Sequence, residues 1–171
     1  MIDLDAATVL LQWATGGLFF LWVTGRRREV GIGYGWTMRI TFGVMTAGAV
    51  AVGVLFESQP VRDLFGALML AATVAAMAVS VVRRKAGVAG QRGTEERRSA
   101  RVAAMTGIDK DEQTFSDGPE FPAHLDLLAP LLGVVALVAG GINAGDPAWL
   151  SVARVLIGAL FLGAISDAML L

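Results

Sequence analysis

The sequence predicts an all-α, polytopic transmembrane bundle of about five spanning helices with its N-terminus outside. Three observations carry that expectation. The chain is 55% hydrophobic with a mean hydropathy of +0.63, too apolar for an ordinary soluble domain of its size. Charged residues make up 17% of it and are gathered between apolar runs rather than spread along every helix. The runs themselves are continuously apolar over roughly 19–25 residues, enough to cross a ~30 Å hydrocarbon layer at 1.5 Å per residue. Barrel strands would instead need runs of ~10 residues alternating apolar and polar.

The first run, residues 4–24, has Thr8, Gln12 and Thr15 as polar positions within it and ends at Gly25 before Arg26, Arg27 and Arg28. The acidic start Met1-Ile2-Asp3-Leu4-Asp5 lacks the basic region of a cleaved signal peptide, so this run is read as a retained span. The second run, residues 37–56, is approached through Tyr34 and Trp36 and ends at Glu57-Ser58-Gln59-Pro60. The third, residues 63–82, closes on Arg83, Arg84 and Lys85. Residues 126–144 form the fourth, with Asp126 expected to cap it and Pro130 tolerated near its first turn. Residues 147–171 form the fifth, where Asp146-Pro147 reads as an N-cap followed by proline at the first helical position. Short connectors make runs two and three, and runs four and five, antiparallel hairpins. Three parts follow: a three-helix transmembrane part over 1–82, a cytoplasmic polar loop over 83–125, and a transmembrane hairpin over 126–171. Leu171 is still apolar, so the chain is expected either to stop at the inner interface or to continue into further sequence.

Orientation comes from counting basic residues. Residues 25–39 hold four and residues 83–125 hold eight of the fourteen Lys and Arg. That bias places these connections in the cytoplasm. Twelve Arg against two Lys, with abundant Ala, Gly and Val, give the expectation of a bacterial source and so of the cell inner membrane. Trp22, Tyr34, Trp36 and Trp149 fall near segment ends, where amphipathic rings settle at the interface.

The polar loop holds two candidates. Residues 94–105 can form a short helix starting at Thr94 and stopped by Gly107. Its arginines suit an interfacial helix on anionic lipid, although a solvated linker is the preferred reading. Residues 109–120 carry oxygen ligands at EF-hand spacing, but Thr114 stands where the loop needs glycine. A mobile acidic loop is the better reading. His124 is read as interfacial polar filler.

No cysteine is present, which excludes disulfides, thiolate metal sites and thiol catalysis within this chain. A net charge of −1 argues against nucleic acid as a partner. No paired carboxylates, nucleophile triad or phosphate loop is evident, so no enzyme activity, cofactor or metal is expected. Expected partners are the lipid bilayer and other membrane subunits or copies of the chain, meeting through Gly- and Ala-rich faces.

The candidate intramembrane polar site rests on the fifth run, which carries Arg154 near one end and Asp167 near the other. Ionisable residues at such depth face protein or water. Arg39 is the expected partner of Asp167, while Gln12, Asn143 and Glu57 lie at outer depths comparable with Arg154. Two roles compete. Either these residues form an outward pocket for an anionic or quinone-like headgroup and a polar path, or Arg154 snorkels to headgroups while Asp167–Arg39 serves assembly. The expected function is an integral membrane protein without catalytic machinery, an accessory subunit with the fifth run as its interaction helix. The alternative is a small transporter or permease component using Arg154 and Asp167.

Overall fold

The computed structural model describes residues 5–26, 32–84, 91–107 and 119–170. Among the described residues six helices follow one another: α1 (Ala6–Arg26), α2 (Ile32–Phe56), α3 (Pro60–Val82), α4 (Gln91–Thr106), α5 (Leu125–Asn143) and α6 (Ala148–Leu170). Five of them are long and apolar enough to cross a membrane, the shortest 19 and the longest 24 residues over the qualifying stretch. At 1.5 Å per residue these are roughly 28–36 Å long, the thickness of the hydrocarbon layer. All-α architecture and the five apolar segments agree with the sequence expectation.

α1 is the axis of the bundle, packing against α2, α5 and α6, while α3 packs on α2 and α5, and α5 on α6. α1 therefore carries the longest run of buried positions, with Leu11, Ala14, Leu18 and Leu21 in one core together with Met38, Phe42, Met69, Leu137 and Val155. The outward faces stay apolar: Val44, Leu55, Phe56, Val74, Ile157 and Phe161 are all more than half exposed. Water would penalise such a surface and lipid does not, so the exposure pattern is that of a protein whose solvent is the bilayer.

α1 and α6 run parallel and touch backbone to backbone. A Cβ on Gly16 would lie 1.8 Å from the Ala159 carbonyl oxygen, and one on Gly163 would lie 2.2 Å from the Gly16 carbonyl carbon. Only hydrogen fits between these helices. Close approach of this kind replaces the hydrophobic drive that lipid does not supply, since dispersion contacts grow as backbones converge.

Helix ends differ from expectation in places. α2 starts at Ile32 and α3 at Pro60, earlier than the hydrophobic runs imply, because polar residues that find partners inside the bundle extend both helices. Pro60 occupies the first helical turn after Gln59, where the missing N–H costs nothing. His124, rather than Asp126, stands at the N-cap of α5, and Asp126 sits buried in the first turn. α6 begins at Ala148, after a cis Asp146–Pro147 bond. Pro147 still opens it, its carbonyl accepting from the amides of Leu150 (3.0 Å) and Ser151 (3.3 Å). The two expected antiparallel hairpins are present, with turns over 57–59 and 144–147.

α4 covers the expected short helix and stops at Gly107, whose φ of +68° is the left-handed cap conformation. Its amide reaches the Ala103 carbonyl at 2.8 Å. α4 makes no extended packing contact with the other five helices. The acidic stretch 109–118 lies outside the described residues.

Candidate functional site

Among the described residues two buried charge clusters sit at opposite ends of the bundle. At the arginine-rich end, Arg39 reaches from α2 to Asp126 of α5 in a two-pronged ion pair, Nε to Oδ1 at 2.8 Å and Nη2 to Oδ2 at 2.7 Å. Both side chains are almost wholly buried. Arg39 also donates from Nη1 to Ser80 Oγ of α3 (3.3 Å), and Trp36 Nε1 donates to the same oxygen at 2.8 Å. The Phe121 ring lies beneath the guanidinium, 4.7 Å from Cζ to its centroid. Planar guanidinium matches carboxylate edge to edge and stacks on an aromatic face, which lysine cannot do. One side chain thus ties α2, α3 and α5 together.

At the same end, Asp167 of α6 is 4% exposed and accepts a hydrogen bond from the Tyr34 hydroxyl of α2. The expected Arg39–Asp167 pair is not formed. Asp126 lies across from Arg39 and takes both prongs, leaving Asp167 to the Tyr34 phenol earlier on α2. Tyr34 accordingly has a hydrogen-bonding task in addition to its place near an interface.

At the other end, Arg62 of α3 is fully buried. It pairs with Asp5, which precedes α1, and with the neighbouring Asp63 at 3.0 Å. Its remaining donors go to the Glu57 carbonyl (2.7 Å) and the Thr8 hydroxyl (3.4 Å). Asp63 in turn accepts from the Gln59 amide (2.9 Å) and the Ser58 hydroxyl (3.3 Å), which fixes the 57–59 turn. Gly53 makes room for the pair, since a Cβ there would meet Asp63 Oδ1 at 2.6 Å and Arg62 Nη2 at 2.8 Å. Asp5 caps α1 by accepting from the Thr8 amide at 2.7 Å.

Desolvation pushes the Asp5 carboxyl up, but the bonds from Thr8 and the Arg62 charge together outweigh it and hold it below the ordinary carboxylate range. A depressed folded-state value means that Asp5 stabilises the fold above its unfolded value of about 3.9 and loses that contribution as pH falls through the folded one. The stability gap between wild type and Asp5→Asn in a detergent unfolding titration is therefore expected to be full at pH 7 and to close below about pH 4. A gap that stays constant down to pH 3 would remove the ion pair as its cause.

The remaining candidates are dispersed. Gln12 faces the interior and donates from Nε2 to the Val155 carbonyl of α6 at 2.9 Å. Asn143 donates to Gln59 Oε1 at 3.2 Å, bridging the two turns at that end. Glu57 is exposed in its turn, and its part in the Arg62 cluster is played by its backbone carbonyl. Arg154 is exposed on the outward face of α6. The structure does not bring Arg154, Gln12, Asn143 and Glu57 together as one pocket. Among the described residues no group of three or more His, Asp or Glu is placed to hold a metal ion.

Sequence reasoning missed Asp126 as an ion-pair partner, and with it Ser80, and missed the whole Arg62 cluster. For the latter a signal existed. Pro60 suits a first helical position, and a helix that starts there takes in Arg62 from the connector and places it with Asp63 in the first turn of α3. No comparable local signal marks the pairing of Asp126 with Arg39, which are 87 residues apart.

Fold and charge placement together define a helical, multi-pass membrane protein braced at each end by a buried ion-pair network. No family model matches the chain, and no curated protein or solved structure matches it either.

Proposed function

We propose that the chain is a non-catalytic integral protein of a bacterial inner membrane, N-terminus outside, acting as an accessory subunit of a larger membrane assembly. The observation that carries this reading is the contrast among its intramembrane arginines. Arg39 and Arg62 are buried and held by carboxylates of their own chain. Arg154 instead lies on an exposed stripe of α6 with Ile157, Phe161 and Ile165. Successive positions on that stripe are three or four residues apart, which puts them on one helical face. A spare cation on an apolar outward face fits a helix of another subunit that carries a carboxylate at the same depth. The cytoplasmic placement of the arginine-rich connections follows from the positive-inside bias.

A photo-crosslinking residue in place of Phe161, in the full chain in native membranes, tests this. One discrete adduct of defined mass, weakened about tenfold or more by Arg154→Glu, is the expected result. Adducts with lipid alone, unaffected by Arg154→Glu, would sink the accessory-subunit reading.

The transport alternative keeps one observation in its favour: Asp167 is a buried carboxylate whose partner is a neutral phenol. Its difficulty is geometric. Thirteen residues at 100° each put Arg154 and Asp167 about 140° apart around α6, so one faces outward while the other faces the core. Solute uptake into proteoliposomes that is abolished by Asp167→Asn would restore it.

A further inference from the structure

We propose that α4 lies in the headgroup layer of the leaflet at the arginine-rich end of the bundle and binds anionic phospholipid through Arg97, Arg98 and Arg101.

The first observation is the placement of side chains around the helix. At 100° per residue, Arg97, Arg101, Met105, Arg98 and Val102 follow one another within about 140° of arc. Val102 is 38% and Met105 71% exposed, and all three arginines are exposed. The opposite side carries Glu96, Ser99 and Ala103. Cations and uncovered apolar groups thus share one face, and the Glu96 carboxylate is turned away from it. Guanidinium groups that flank an apolar strip match a phosphate layer with acyl chains beneath, because the heads stay at phosphate depth while the strip is buried.

A second observation is that the bundle does not supply a surface for this face, since α4 makes no extended contact with the spanning helices. A helix of 16 residues is only marginally stable alone in water, so an external surface that buries one side would hold it folded. The third observation is reach. Eight residues separate Val82 at the end of α3 from Gln91 at the start of α4. Fully extended they span at most about 28 Å, which keeps α4 near the bilayer plane that α3 defines. Charge complementarity selects the anionic lipid: residues 83–101 carry seven Lys and Arg against two Glu.

The absence of cysteine makes the test direct. Met105→Cys carries an environment-sensitive fluorophore in the full chain, reconstituted in nanodiscs of phosphatidylcholine alone or with about 30% phosphatidylglycerol. Emission should shift to shorter wavelength, and become quenchable from lipid-borne quenchers, only in the anionic discs. A label at Ser99→Cys should stay water-exposed in both. Each arginine near an anionic surface is worth about fivefold in binding. Changing Arg97, Arg98 and Arg101 together to Gln should therefore weaken surface binding roughly a hundredfold at physiological salt and abolish the shift. An emission spectrum identical in the two discs overturns the proposal, whether α4 is then solvated or paired with the acidic stretch 109–120. A shift equal in both discs also overturns it, because apolar insertion alone would explain that result.

Discussion

Replacing Arg62 by methionine is expected to destabilise the bundle by about 3–5 kcal/mol. Arg62 is completely enclosed and neutralises two carboxylates, Asp5 and Asp63, at once. Methionine fills much of the same volume, so the loss would be electrostatic rather than a cavity. Two carboxylates would then share a poorly solvated end of the bundle with no cation. The Glu57 carbonyl and the Thr8 hydroxyl would lose their donor as well. A partner removed from a buried ion pair costs far more than the intact pair contributes, because the remaining charge is stranded. Arg62→Lys should fall between, since it keeps the charge but cannot reach both carboxylates and the carbonyl with a fixed fork. The measurement is the midpoint of reversible unfolding in mixed micelles at pH 7, with the exposed Arg154→Met as reference, expected to change stability by about 0.5 kcal/mol or less. If Arg62→Met costs no more than Arg154→Met, the cluster does not brace the fold.

The second large effect is expected at the contact of α1 with α6. Gly16→Ala would place a methyl group 1.8 Å from a backbone oxygen of Ala159. Backbone cannot rotate away as a flexible side chain can, so the helices must separate. Their separation would also loosen the Gln12–Val155 bond (2.9 Å) and the Trp13–Ser166 bond (2.6 Å) between the same two helices. A cost at or above the upper end of the usual 1–3 kcal/mol for overpacking follows. Gly48→Ala is the matched control. Its Cβ would meet only Leu10 Cδ1 at 3.8 Å, an ordinary contact, and alanine favours the helix over glycine by roughly 0.8–1.0 kcal/mol. Opposite signs for the two substitutions in the same unfolding assay are the expected outcome. Equal tolerance at both positions would show that α1 and α6 are not in backbone contact.

Both predictions concern residues whose type, but not whose task, was visible beforehand. Glycines at 16 and 163 are unremarkable in a spanning helix, where small residues recur. Their significance lies in facing each other, which depends on α1 and α6 being parallel neighbours. Arg62 belongs to a connector by hydropathy alone, and it enters the bundle because α3 starts at Pro60. Asp126 resembled a cap because it stands just before an apolar run, and carboxylates cap helices often. In the bundle its neighbour is Arg39, and an ion pair made outside water outweighs the cap. Asp167 shows the reverse case: its place in an apolar run implies burial, and it is buried, but its partner is the Tyr34 hydroxyl rather than the Arg39 cation.

What these 171 residues determined by themselves is the solvent and the number of rods. Continuous apolar runs of bilayer length can satisfy their backbone in hydrocarbon only as helices, and that argument is local to each run. The tertiary structure alone decided which charge meets which, which helix lies at the centre, and that Arg154 faces outward while Asp167 faces inward. Pairings of this kind join residues tens of positions apart, and they depend on helix rotation and neighbourhood. Lipid leaves both open, because an apolar rod is equally soluble in it whichever side is turned to its neighbours.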